Sequence, residues 1–129
     1  MRRAILPVLA ILPLLASQPA KAVTEQNFNA DTTGDLVALC SADAKDPMGT
    51  AALNFCHGFM VGAVRVMQAQ GIATRGTKPF CLPEPTPSRT QAIANFVKWA
   101  QDTPSHMAMR PIDAVYSYLG ATYPCKRKK

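Results

Sequence analysis

The sequence predicts a small all-α domain of four helices, stapled by two disulfides and preceded by an export signal. Three observations predict it. Apolar residues recur at helical spacing in four segments, and no segment keeps a period of two, so no sheet is expected. Four cysteines, Cys40, Cys56, Cys81 and Cys125, fall in a short stretch of chain downstream of the leader. An even count in a small exported chain reads as two disulfides, and it places the chain in an oxidising compartment.

Residues 1–22 carry the three parts of a signal peptide. Arg2 and Arg3 supply the positive start, residues 4–16 the apolar stretch, and Ala20-Lys21-Ala22 an A-x-A cleavage site. Cleavage after Ala22 makes Val23 the first mature residue. The apolar stretch is shorter than the roughly 20 residues a bilayer span requires, and Pro7 and Pro13 interrupt it. The expected location is the periplasm.

The mature region, 23–129, has the size of one domain. Its core is adequate but not generous for that length, which is where disulfides help. The formal charge of +6 is misleading. Three of the basic residues, Arg2, Arg3 and Lys21, belong to the leader, and residues 126–129 form a basic tail after the last cysteine. The body from Val23 to Cys125 keeps seven basic residues against eight acidic ones. A body so close to neutral has no nucleic-acid footprint, and the tail reads as a solvated end, the alternative being contact with anionic lipid or cell-wall polymer.

An irregular lead-in, 23–29, precedes the first helix, 33–41. Asp31, Thr32 or Thr33 can cap it, and Leu36, Val37 and Cys40 lie at helical spacing. A loop over 42–50 follows, with Asp46-Pro47 a cap and first-turn pair. The second helix is the longest, from 47 or 51 to 70. Leu53, Cys56, Phe59, Met60, Ala63, Val64 and Met67 share its apolar face. Gly71 is placed to end it as a C-cap. A long loop, 71–86, comes next, and Cys81 staples its far end. The third helix, 87–101, starts from Thr86 with Pro87 in its first turn, or from a Ser88–Gln91 capping box. Ile93, Phe96, Val97 and Ala100 form its buried stripe. Pro104 ends it, because the residue before a proline leaves the α region. The fourth helix, 111–123, buries Ile112, Val115, Tyr116 and Leu119. The core expected from these faces is Leu36, Leu53, Phe59, Ala63, Val66, Ile93, Phe96, Val97, Val115 and Leu119. Helix ends joined by a chain reversal lie close together. That favours Cys40–Cys56 and Cys81–Cys125, while crossed pairings such as Cys56–Cys81 stay open.

Little in the chain carries chemistry. Cys56-His57 lacks the earlier cysteine of a haem-attachment motif, since Leu53 stands there. Adjacent helical residues point about 100° apart, so His57 is badly aimed to activate Cys56. His57 and His106 make no pair with zinc-ligand spacing. Met48, Met60, Met67, Met107 and Met109 are spread over several segments, as core fillers are. Gly58 and Gly62 sit four apart inside the second helix. Each costs roughly 1 kcal/mol against alanine, so close approach of another helix, from this chain or from a second subunit, is the natural compensation. No catalytic residue, metal or cofactor is assigned, and the chain does not read as an enzyme. Binding residues favour loops held by a rigid scaffold. The candidate partner-binding residues are therefore Ile72, Thr74, Arg75 and Lys78, with Arg75 the expected anchor and the 42–49 loop the next candidate.

Four segments taken together carry a resemblance. They are Asp35-Leu36-Val37-Ala38-Leu39-Cys40, Cys56-His57-Gly58-Phe59-Met60-Val61-Gly62, Phe80-Cys81-Leu82-Pro83 and Tyr123-Pro124-Cys125. They resemble the Rap/Tai family of small periplasmic immunity proteins of type VI secretion. Thr103-Pro104 fits the family's proline turn before the last helix, and the likeness spans nearly the whole mature chain. It implies a compact helical domain with intramolecular disulfides that binds and blocks a secreted cell-wall amidase effector, in some members as a dimer. Only the scaffold residues carry over, namely the four cysteines, Gly58, Gly62 and Pro83. The basic tail departs from the pattern. The competing reading is a small helical periplasmic chaperone or envelope-stress binding protein. Two disulfides would resist the unfolding such a chaperone uses, and eight carboxylates are few to drive acid release.

Overall fold

The computed structural model describes residues 22–73 and 78–126. Helix α1 (Thr33–Cys40) lies at the centre, with α2 (Gly49–Ala73), α3 (Arg89–Gln101), α4 (Pro104–Ala108) and α5 (Pro111–Thr122) packed around it. A 3-10 turn, Glu25–Asn29, covers the start of α1. No strand occurs among the described residues. Both disulfides have the pairing that geometry favours, Cys40–Cys56 and Cys81–Cys125, with Cα atoms 5.1 Å and 4.9 Å apart.

Helix α1 has eight residues, too few to be stable alone in water. Its first turn is fixed by a reciprocal capping box. The Thr32 hydroxyl accepts from the Asp35 amide at 3.2 Å, and the Asp35 carboxylate accepts from the Thr32 amide at 2.9 Å. The other Asp35 oxygen accepts from the Asn27 side chain at 2.9 Å, which ties the 3-10 turn to the helix. Thr33 is fully buried, and its amide and hydroxyl both donate to the Met109 carbonyl, at 2.8 and 2.9 Å. That anchors the start of α1 to the turn between α4 and α5. Leu36, Val37 and Leu39 fill the core, and Cys40 joins α1 to the first third of α2.

Helix α2 starts at Gly49, where the chain doubles back tightly. A Cβ at this position would sit 1.7 Å from the Asp43 carbonyl oxygen, so only glycine fits without moving the 42–48 loop. The helix buries Ala52, Cys56, Met60, Ala63 and Met67. It does not stop at Gly71 but continues to Ala73, so the expected C-cap glycine lies inside it. The gap that follows is shorter for that reason. Tyr116 of α5 donates a hydrogen bond to the Gln70 side chain, which holds this last stretch of α2.

The remaining differences from the sequence expectation have local causes. The lead-in is a 3-10 turn, because Thr24 and Asn27 close a capping box of their own. Ser88 caps α3, accepting from the Gln91 amide, so Thr86 and Pro87 lie before the helix. An extra helix, α4, forms where Pro104 sits in its first turn and Thr103 is extended. His106 of α4 stacks on Trp99 with ring centroids 3.8 Å apart and donates to the Trp99 carbonyl at 3.1 Å. On α5 the buried aromatic is Tyr118, 2% exposed, while Tyr116 is 37% exposed and Ile112 also faces outward. A shift of the buried arc toward Ala114 and Tyr118 brings Tyr118 edge-on to Phe96 at 5.6 Å. Burial pushes the Tyr118 phenol pKa up, and its neighbour Tyr123 adds to the rise.

Six of the ten expected core residues are buried: Leu36, Ala63, Ile93, Phe96, Val115 and Leu119. Leu53, Phe59 and Val97 are partly buried. Val66 is the error. It is 53% exposed, because the buried arc of α2 runs through Met67 instead. Phe96→Ala should cost about 3–5 kcal/mol in denaturant melts, since the ring is fully buried among Trp99 and Tyr118. Val66→Ala should stay within about 0.5 kcal/mol. Equal costs at the two sites would show the helix faces to be misplaced.

Asp35 gives a pH prediction. Its partial burial pushes its pKa up, but the hydrogen bonds from Asn27 and Thr32 push it down and prevail, so it titrates below its ordinary value of 3.8. A carboxyl whose folded pKa is depressed adds stability above its unfolded pKa, and that stability is lost as pH falls through the folded value. The parent should therefore exceed Asp35→Asn in stability at neutral pH, with the advantage shrinking as pH falls below about 4. A difference that stays constant down to pH 2 would show that the charge of Asp35 plays no part.

Candidate functional site

The described residues offer no catalytic constellation. Cys56 is fully buried and bonded to Cys40, so its sulfur is not a thiolate nucleophile. His57 lines a shallow recess beside that disulfide with Leu53, Thr90 and Val97. No cluster of three or more His, Cys, Asp or Glu residues suited to a metal occurs among the described residues. No helix among them is long and apolar enough to cross a membrane.

A concave surface lies where α2, α3 and the irregular segment 78–88 meet. Proline-rich sequence keeps this segment out of helix, and Glu84–Pro85 is a cis peptide. Phe80 plugs into the core, and Leu82 is left on the outside. Two links hold the segment in place. Cys81 is bonded to Cys125, and the Cys81 amide donates to the Tyr123 carbonyl at 2.8 Å. An otherwise extended strip of chain therefore becomes a fixed wall facing α2.

Between wall and helices runs a groove of about 330 Å³, floored by Met60, Val61, Val64, Ala92 and Ile93 and walled by Leu82 and Pro87. Arg65 and Arg89 line it as well. Past Gln68 and Leu82 it opens into a second recess of about 440 Å³, bounded by Gly71, Lys78, Pro79 and Phe80. The Arg65 guanidinium donates to the Gln68 side chain at 3.4 Å. No carboxylate among the described residues pairs with Arg65, Arg89 or Lys78.

Of the partner-binding residues expected from sequence, Lys78 is exposed at the mouth of this second recess. Thr74, Arg75 and the side chain of Ile72 lie outside the described residues. Gly58 and Gly62 are exposed on α2, and a Cβ added at either would meet nothing within 4 Å. The helix expected to pack closely on them from the same chain is absent among the described residues. Sequence reasoning missed Arg65 and Arg89 as a pair, since they are 24 positions apart. A signal existed, however. From Pro47 to Gln101 the chain has five basic residues, Arg65, Arg75, Lys78, Arg89 and Lys98, and a single acidic one, Glu84. The near-neutral total of the body hides that asymmetry.

The disulfide pairing predicts how the wall depends on its staple. In the chain-entropy view, closing the 44-residue separation of Cys81–Cys125 is worth about 4 kcal/mol and the 16-residue separation of Cys40–Cys56 about 3. The double variant Cys81→Ser/Cys125→Ser should lose stability on that scale, and its 78–88 segment should be cut by protease before the helices are. Cleavage that starts in α1 or α2 would contradict the assigned role of the bond.

The comparisons with known proteins point to one family. The family model of the Rap1a immunity proteins matches residues 32–125, from the cap of α1 to the last cysteine. No curated protein and no solved structure matches the chain.

Proposed function

The chain belongs to the Rap1a immunity protein family, and we propose that it acts in the periplasm by binding a secreted peptidoglycan amidase effector and covering that enzyme's groove. The family match over residues 32–125 is the observation that carries this reading. The structure adds physical support. Two disulfides suit an exported chain in an oxidising compartment. A stapled helical body binds with little loss of conformational freedom, which favours affinity. Inhibition by occlusion needs no chemistry from the inhibitor, and a fully disulfide-bonded set of cysteines supplies none. In this reading residues 1–22 are a leader removed at Ala22, and 23–129 are the working domain with a basic tail.

The test is protection. The mature chain, sent to the periplasm of a sensitive host, should let cells survive an amidase effector of type VI secretion directed to the same compartment. The purified pair should form a stable complex in which peptidoglycan cleavage falls to background at a one-to-one ratio of chains. Lysis at the control rate, with no complex by size-exclusion chromatography across the candidate amidases, would overturn the proposal.

A further inference from the structure

We propose that the groove between α2, α3 and the 78–88 wall is the effector-docking surface, and that it takes a segment of the effector carrying an apolar side chain flanked by carboxylates. The inference rests on the immunity reading above. Its basis is a match of shape and charge. The floor, including Met60, Val64 and Ile93, is apolar and suits a buried side chain. Arg65 and Arg89 line the groove and Lys78 lines the recess it opens into, none with a carboxylate partner among the described residues. Two cations on an apolar slot and a third in the recess beside it repel one another and attract an acidic segment. Glu84, the one acidic residue between Pro47 and Gln101, lies on the other side of the wall with Thr122, Tyr123 and Lys126. The wall therefore separates its own carboxylate from the groove. The wall is also the part of the chain that Cys81–Cys125 immobilises, so the slot exists before a partner arrives.

The experiment uses the mature chain and the amidase effector it protects against. Dissociation constants are measured for the parent, for Arg65→Glu/Arg89→Glu, and for Arg110→Glu, whose arginine pairs with Asp113 on α5 instead. All three are checked for unchanged melting. The groove variant should weaken binding by about thirtyfold or more. It should also lose most of the salt dependence seen in the parent, while Arg110→Glu binds like the parent. A water-soluble carbodiimide should couple Lys78 to an aspartate or glutamate of the effector. A parent that binds an effector, with the groove variant binding equally well, overturns the groove and leaves the immunity reading standing. A parent that binds no effector overturns both. Sodium dodecanoate, titrated below its micelle concentration, supplies the remaining arm. If it binds the parent and not the groove variant while effector binding is the same in both, the slot is a site for anionic amphiphiles and the proposal fails.

Discussion

The structure depends on how its shortest central element is held. Helix α1 touches every other element, yet eight residues cannot maintain a helix unaided. It is clamped at both ends instead. At the start, buried Thr33 gives two hydrogen bonds to the Met109 carbonyl, which satisfies an orphan helix amide and a buried hydroxyl with one acceptor. At the finish, Cys40 is bonded to fully buried Cys56. Between the clamps, Leu36 and Leu39 are completely enclosed. The other helices pack on a post fixed by covalent and polar links rather than by its own helical propensity.

The second staple serves a different purpose. Cys81–Cys125 and the Cys81–Tyr123 hydrogen bond tie the segment next to buried Phe80 to the end of α5. They hold a proline-rich strip against the C-terminal half of α2. One disulfide thus builds the body, and the other shapes its surface.

The helical class and most of the core could be read from the sequence because they follow from local rules, which also favoured the observed disulfide pairing without closing the crossed alternatives. Leu36, Phe96 and Val115 lie on stripes with helical period, and Cys40 at the end of α1 needs only the chain reversal before α2 to meet Cys56. What could not be read was set by tertiary contact. Tyr118 rather than Tyr116 is buried because Phe96 waits on α3, a fact that no window of α5 contains. Gly71 looked like a helix end, but the packed neighbours of α2, including the Tyr116–Gln70 link, carry the helix past it. The groove was invisible for the same reason. Arg65 and Arg89 become neighbours only once α2 and α3 dock, and the Gly58–Gly62 pair, conspicuous in sequence, meets nothing within the described fold.

The clamped-post account makes a direct demand on local stability. Native-state hydrogen exchange should find the amides of Leu36, Val37 and Leu39 opening only with global unfolding, at the same free energy as the slowest amides of α2. Helix α1 should show no separate, cheaper opening. If those three amides exchange through a local opening several kcal/mol below the global value while α2 and α3 remain protected, then α1 is an accessory held by the bundle, and the account is wrong.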